Sequence, residues 1–473
     1  MRLLPLLSSN TSPVVVQIDT IVALSTPPGR GGIGVIRISG NDSLKILRTL
    51  VASDSFDPTP NLLSLKSLYN PTTGEVLDEA LVCFFRAPHS FTGEDVVELH
   101  CHGSPVLLRA IIDLILRLDA RLAAPGEFSL RAVINGRMNL AEAEAVRDLI
   151  EAQTESALRQ ATRQLKGEIS NRLAPVEQDL LNIIVRLESS LEFVEDDLPT
   201  VAAAEILSSL QKVKLELSRL AGTFAAGKLL RDGVKVAFVG RPNVGKSSLF
   251  NRLVGHCRAI VTAIPGTTRD TLTESIGING VPVLLTDTAG IRSSSNEIES
   301  LGVERARREA ADADLLIVVV DGSDYWRDED KLVLAEAANA RYIVALNKSD
   351  LPTFSLARFD GRIGPLLNCT ALVSVSAKSE AGLDRLRTAI LQPFANGNVH
   401  SEGLLITNAR HHDLLVRAIE AIASAESLLQ QRASEELILV GLHSALRYLG
   451  EITGETTTDE ILGQIFSTFC IGK

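Results

Sequence analysis

Apolar positions along the chain change their period several times. Between residues 20 and 136, short β-type runs at 20–24, 34–38, 81–85 and 96–100 alternate with one apolar helical pattern at 106–118. Turn chemistry is dense between them, notably TPPGRGG at 26–32 and NPTTGE at 70–75, so this stretch predicts a small α+β unit. From Asn139 onward Leu140, Ala143, Ile150, Ala157, Ala161, Leu165, Ile169, Leu173, Val176, Leu180, Ile184, Leu187 and Leu191 follow at helical spacings. That pattern predicts one long amphipathic helix, or two in near succession, with Pro175 as the kink or break. A further helical stripe carries Ile206, Leu210, Val213, Leu217 and Leu220.

Residues 234–394 read differently. VKVAFVG, VPVLLTD, DLLIVVVD, YIVALN and LVSVSA are strand-length apolar runs separated by helical patterns, as in an open parallel sheet. After Phe394 the helical period resumes, with Leu415, Ile419, Ile422 and Leu429 on one face and another helix at 434–449. Helical stripes flank the sheet block on both sides, so the simplest packing is a helical domain interrupted by an inserted α/β domain. The expected boundaries are 1–136 for the N-terminal domain, 137–233 with 395–473 for the discontinuous helical domain, and 234–394 for the insert, with disorder expected over 1–18.

Length agrees, since 473 residues suggest about three domains. An aromatic content of only 4% points to cores of aliphatic residues and argues against an all-β sandwich. The formal net charge of −11 confines any nucleic-acid contact to a local basic patch. Five cysteines, far apart and without a CxxC pair, speak against a disulfide framework or a zinc ribbon and fit a reducing cytoplasm. No apolar run reaches membrane-spanning length, and the N-terminal apolar patch is too short for a signal sequence. His100, Cys101 and His102 read as structural, because only the two histidines share a strand face and no fourth ligand is near in sequence.

The clearest chemistry is GRPNVGKS at 240–247, directly after a strand and before a helix start. Its glycines let backbone amides close around phosphate, Lys246 offers a charge to the outer phosphates, and Ser247 offers a hydroxyl to magnesium. DTAG at 287–290 follows the next apolar run, placing Asp287 near the magnesium shell and the Gly290 amide near a γ-phosphate. NKSD at 347–350 supplies Asp350, which can accept from both the ring N–H and the exocyclic amine of guanine, and SAK at 376–378 can support the guanine carbonyl through backbone amides. In this order the four motifs resemble those of the GTPase superfamily. GTTRD at 266–270 stands where the first switch of such enzymes supplies a threonine to magnesium, and Thr268 is the matching position. Ile291 occupies the place where Ras-like enzymes carry a water-orienting glutamine, which leaves Glu297 and Glu299 in the polar segment beyond as candidates for that task.

TPPGRGGIGVIRISG at 26–40, FTGEDVVELHCHG at 91–103, PGEFSLRAVINGRMNLAEAEAV at 125–146 and the terminal FCIGK extend the likeness to nearly the whole chain. Together with the GTPase motifs they resemble the MnmE (TrmE) family of tRNA modification GTPases. The resemblance implies a multidomain protein: an N-terminal α+β folate-binding-like domain that also dimerises, a discontinuous all-α helical domain and an inserted α/β P-loop GTPase domain. It implies a potassium-activated GTP hydrolase that works with a flavin-dependent MnmG (GidA) partner. Together they add a carboxymethylaminomethyl or aminomethyl group at C5 of the wobble uridine of certain tRNAs. The one-carbon donor would be 5,10-methylene-tetrahydrofolate, the bound folate either that or a 5-formyl derivative, and FAD would reside only on the partner.

The family pattern also implies roles residue by residue. Nucleotide contacts would come from Asn243, Val244, Gly245, Lys246, Ser247 and Ser248, and from Thr262, Ala263, Ile264, Pro265, Gly266, Thr267 and Thr268. Asp287, Thr288, Ala289, Gly290, Asn347, Lys348, Asp350, Ser376, Ala377 and Lys378 complete that set. Magnesium would be held by Ser247 and Thr268, and potassium by Asn243, Thr262, Ile264 and Thr267. Glu299 matches the glutamate that orients the attacking water, which places it ahead of Glu297. Arg37, Glu98, Arg137 and Lys473 would contact the folate, Arg137 standing where the family often has lysine, and Cys470 matches a C-terminal cysteine considered as a nucleophile toward uracil. An Era-like RNA-binding GTPase is the competing reading; it needs an RNA-binding module such as a KH domain after the GTPase block, where this chain instead has helices ending in FCIGK.

Overall fold

The computed structural model describes residues 19–192, 200–256, 272–287, 311–358, 368–394 and 403–472. These fall into two compact units, 19–147 with 450–472 and 148–449. The contact pattern thus groups the last helical residues with the N-terminal unit.

In the first unit β1 (Thr20–Leu24), β2 (Ile33–Ser39), β3 (Ser64–Tyr69), β4 (Val76–Phe85), β5 (Val96–His102) and β6 (Ala120–Leu122) form one sheet in the order β3-β4-β5-β2-β1-β6. Only the β1–β6 pair is parallel. Strand alternation sorts the side chains. Ile36, Ile38, Val82, Phe84, Val97 and Leu99 pack with Ile46, Leu47, Leu108 and Ile111 of the helices Ser43–Leu50 and Pro105–Ile115. Arg37 and Glu98 lie directly opposite each other in register, on the sheet face away from that core. The helices Glu127–Ile134 and Asp459–Ser467 meet through Leu130, Leu462, Phe466 and Phe469. Gly126 has φ +67, and a Cβ there would sit 2.5 Å from the Phe466 carbonyl, so this crossing needs glycine.

In the second unit β7 (Val234–Val239), β8 (Leu272–Ile278), β9 (Val281–Asp287), β10 (Leu315–Asp321), β11 (Tyr342–Asn347) and β12 (Cys369–Ser374) are ordered β12-β11-β10-β7-β9-β8. All pairs are parallel except β8–β9, a hairpin turning at Asn279 and Gly280, both with positive φ. The five apolar runs all become strands, and the antiparallel edge β8 is the addition. Residues of β10 divide between two cores, Leu315, Ile317 and Val319 on one face and Leu316, Val318 and Val320 on the other, as a strand covered on both sides requires.

The expected long helix is three: Leu140–Glu151, Glu155–Leu165 and Glu168–Glu192. The breaks do not fall at Pro175, which lies inside the third helix. Instead Thr154 caps the second helix by accepting from the Ala157 amide, and Gly167, at φ +75, separates it from the third. Helices Thr200–Ala221 and Ala409–Gln430 bury Leu210, Val213, Leu217, Leu415, Ala418 and Ile422. The chain enters the sheet block through helix Phe224–Asp232 and returns beside it: the Ile406 amide donates to Thr223 Oγ1 at 3.0 Å, and a Cβ on Gly227 would lie 2.1 Å from the Ile406 carbonyl. Adjacent entry and exit are what an inserted domain needs. Gln160 and Gln164, both buried, donate to the carbonyls of Gly403 and Leu405. The β8–β9 hairpin also meets this segment, where Thr154 Oγ1 donates to the Gly280 carbonyl at 2.8 Å, Ser275 Oγ donates to Gln153 Oε1 at 2.5 Å, and a Cβ on Gly280 would lie 2.4 Å from Ser156 Oγ.

Candidate functional site: a purine nucleotide cradle and the Arg37–Glu98 pair

The phosphate loop joins β7 to helix Lys246–His256. Gly240, Asn243 and Gly245 have φ of +148, +63 and +96, an arrangement that turns successive amides toward one point at the helix N-terminus. Asn243 is exposed, whereas Val244 is fully buried and pins the loop to the core. Lys246 Nζ donates to the carbonyls of Gly240 and Arg241 at 2.8 and 2.9 Å, so the ammonium lies across the mouth of the loop. Ser247, in the first helical turn, is half-buried, and Asp287, at the end of β9, is fully buried.

Across the sheet, Asn347 Nδ2 donates to the Val244 carbonyl at 2.8 Å and Asn347 Oδ1 accepts from the Ala377 amide at 3.1 Å. One buried side chain thereby ties the phosphate loop to the SAK loop. Gly245 is required by the same contact, because a Cβ there would lie 2.3 Å from Asn347 Nδ2. Ser376 Oγ donates to Asp350 Oδ1 at 2.6 Å, and this hydrogen bond holds the Asp350 carboxyl below the usual carboxylate range. Gly245, Ser248, Asn347, Lys348, Asp350, Ala377 and Lys378 line a cavity of about 740 Å³, large enough for a purine nucleotide. It has a phosphate-type helix N-terminus at one end and an ionised carboxylate at the other.

Motif reading missed several residues here. Arg252 forms a 2.8 Å ion pair with Glu380 and donates to the Ala377 carbonyl, bracing the SAK loop from the helix. Arg241 is buried and donates through Nε to both oxygens of buried Asp330, each at 3.2 Å. Asp321 accepts from Lys348 Nζ. A strand-terminal aspartate in DLLIVVVD was the available signal for the last of these. Thr262, Ala263, Ile264, Pro265, Gly266, Thr267, Thr268, Thr288, Ala289, Gly290, Ile291, Glu297 and Glu299 lie outside the described residues, as do Lys473 and the stretch 1–18.

The first unit gathers a second set. Arg37 Nε and one terminal nitrogen reach Glu98 Oε1 at 2.9 and 2.8 Å, and the guanidinium stands over the Phe91 and Phe128 rings at 5.4 and 5.8 Å. The Gly472 carbonyl accepts from Arg37 at 3.4 Å and from Ser25 Oγ at 3.2 Å, so Gly472 lies beside this pair. Arg137 donates to the Ser90 carbonyl at 3.0 Å, in the loop that carries Phe91. Cys470 is exposed, and its carbonyl accepts from the Gly126 amide. His102 Nδ1 pairs with buried Asp78 at 2.6 Å, and His100 faces Glu98 at 3.4 Å. Burial pushes the Cys101 thiol up to about 12. No group of three metal-ligating side chains occurs among the described residues, and none of their helices is long and apolar enough to cross a membrane.

The family model for the TrmE N-terminus matches residues 20–137, and that for the MnmE helical domain matches 140–470. The tRNA modification GTPase MnmE of Koribacter versatilis is 45% identical over 458 residues, covering 96% of this chain and 99% of its own. The proteins of the same name from Natranaerobius thermophilus and Aquifex aeolicus are each 41% identical, over 96% of this chain and 99% and 100% of theirs. With two family models spanning nearly its whole length and relatives matched end to end, this chain belongs to the MnmE (TrmE) family of tRNA modification GTPases.

Proposed function

We propose that the protein hydrolyses GTP in a potassium-activated cycle and couples it to modification at C5 of tRNA wobble uridine. It would act as a homodimer with an MnmG (GidA)-type flavoprotein, using a methylene-tetrahydrofolate as one-carbon donor. The observation that carries the GTP reading is the Asn347 bridge, which sets the phosphate loop and the Asp350 carboxylate at opposite ends of one cavity. Asp350 selects guanine because adenine offers neither of the two donors it accepts. Lys246 brings positive charge to the terminal phosphates, and the amides at the helix start bind their oxygens. The half-buried Ser247 hydroxyl and the buried Asp287 carboxylate are hard oxygen donors of the kind magnesium takes, with Thr268 as the further protein ligand. Bound there, magnesium would neutralise charge between the outer phosphates.

Asn243 suits potassium for a related reason: it puts an exposed amide oxygen in the phosphate loop, where the charge of bound phosphates would collect. Thr262, Ile264 and Thr267 would complete that ion's oxygen ligands, and Glu299 would orient the attacking water in place of the absent glutamine. For the folate, Glu98 can accept from the donor edge of a pterin, while Arg37, Arg137 and Lys473 match its carboxylates.

The test is GTP turnover in potassium against sodium at equal ionic strength, with Glu299→Ala in parallel. Strong potassium stimulation, with hydrolysis but not GTP binding lost in the variant, is expected. Equal rates in both salts would overturn the potassium role, and unchanged turnover in the variant would overturn the assignment of Glu299.

A further inference from the structure

Arg241 is the second residue of GRPNVGKS, and its guanidinium is committed to two aspartates rather than left for phosphate. Nε donates to both oxygens of Asp330, each at 3.2 Å, and a terminal nitrogen donates to Asp324 Oδ2 at 3.2 Å. Asp330 is itself fixed: it stands in the first turn of helix Asp328–Ala337, is 2% exposed, and accepts from the Arg327 amide at 3.1 Å. Asp324, in the turn between β10 and that helix, also accepts from the Arg327 guanidinium at 2.9 Å and from the Tyr325 amide at 2.8 Å. The two carboxylates and two guanidiniums balance in charge, and Arg241 is the member that comes from the phosphate loop. On the loop's side, the carbonyls of Gly240 and Arg241 hold Lys246 Nζ, and a Cβ on Gly240 would lie 2.4 Å from the Val319 carbonyl of β10.

We propose that Arg241 is a positioning residue for the outer phosphates of the nucleotide: strapped to Asp330, it fixes the backbone that carries the two Lys246-binding carbonyls, so that the ammonium stands where phosphate arrives. The inference rests on the guanine-nucleotide reading above and deepens it. A buried carboxylate is tolerated only while it is paired, so any shift of the loop that withdraws Arg241 strips Asp330 of its cation and is opposed. Donating from Nε and from a terminal nitrogen toward two different carboxylates, the planar guanidinium fixes direction as well as distance, which a lysine ammonium would not. A loop ordered before binding spares the ligand the entropic cost of ordering it. That gain reaches only the groups the loop touches. It should therefore grow from GMP to GDP and leave the base contacts of Asp350 alone.

The experiment is competition of GDP and of GMP against a fluorescent GDP analogue on the full chain, for wild type, Asp330→Asn, Arg241→Lys and Arg241→Met. Asp330→Asn and Arg241→Met are expected to raise the Kd for GDP about tenfold, the scale of a lost charge-assisted hydrogen bond, and that for GMP no more than about threefold. Arg241→Lys should recover part of the GDP affinity, since it keeps the charge and loses the planar geometry. Equal losses for both nucleotides would leave Arg241 a merely structural role and overturn the proposal, as would wild-type GDP affinity in Arg241→Met. Should Asp330→Asn and Arg241→Met fail to fold, Asp324→Asn tests the same point at a partly exposed position. A loss of about two- to threefold confined to GDP is then expected, and no loss overturns the proposal. A wild-type chain that binds no guanine nucleotide would instead overturn the reading on which the proposal rests.

Discussion

Replacing Asn347 by alanine removes a side chain that joins the phosphate loop to the SAK loop. Two hydrogen bonds vanish, to the Val244 carbonyl and from the Ala377 amide, and Asn347 itself is only 2% exposed. Each such bond contributes about 1 kcal/mol net, and a buried carbonyl or amide left without its partner adds about 1 kcal/mol more. A total of about 3–4 kcal/mol follows, or roughly 150–800-fold in nucleotide Kd if the cost falls on the bound state. Titration with a fluorescent GDP analogue reads the affinity, and thermal unfolding of the nucleotide-free chain shows how much of the cost falls on folding instead. Gly245→Ala should reproduce most of the loss, since its Cβ would lie 2.3 Å from Asn347 Nδ2, and combining the two should cost less than their sum. If Asn347→Ala binds GDP within threefold of wild type and melts at the wild-type temperature, the bridge does not organise the site.

Three further outcomes follow from the geometry. Asp350→Asn should lose preference for GTP over ATP in competition binding, because an amide cannot accept from both guanine donors; retained preference would refute the base-reading role. In the first unit, burial works against ionisation of Asp19 and Glu127, but hydrogen bonds and charge from Arg121 and Arg131 outweigh it and hold both carboxyls below their ordinary values. Their stabilisation is therefore complete above the unfolded carboxylate range near pH 4 and is lost as pH falls through the lower folded values, so Arg131→Met should remove part of the acid-dependent drop in Tm below about pH 4. Gly227→Ala places a Cβ 2.1 Å from the Ile406 carbonyl and should lower stability by about 1–3 kcal/mol, read as a drop in Tm.

Much of this was legible in the chain because the signals were local. The strands around the phosphate loop carry continuous apolar runs, and GRPNVGKS and NKSD place their chemistry at strand ends by spacing alone. What escaped was set by tertiary context. Strand β8 alternates polar and apolar residues too weakly to read as a strand, although the Asn279–Gly280 pair that closes its hairpin is a turn signal. Pro175 suggested a break that the third helix absorbs, whereas Thr154 and Gly167, with a capping oxygen and a left-handed backbone, end the preceding elements. Arg241 and Arg252 stand where a charged residue reads as ordinary surface, and only the fold brings Asp330 and Glu380 to them; Asp321 had a strand-end signal, but its pairing with Lys348 is likewise tertiary. The pairing of Arg37 with Glu98 is likewise a matter of register between strands 61 residues apart.

The β8–β9 hairpin is a stiff link between the two places it touches. One end of β9 is Asp287, opposite Phe238 near the end of β7 where the phosphate loop begins, and β8 begins at Leu272, just past the segment that carries GTTRD. The other end, at Gly280, is bolted to the cap of helix Glu155–Leu165 by the Thr154 and Gln153 contacts. Seven residues of extended strand span about 20 Å and cannot shorten without breaking their ladder. The position of Asp287 and that of the helix cap are therefore set by one rigid element. The same helix, through Gln160 and Gln164, grips the returning chain at 403–407, so one helix ties the hairpin to both flanks of the insertion.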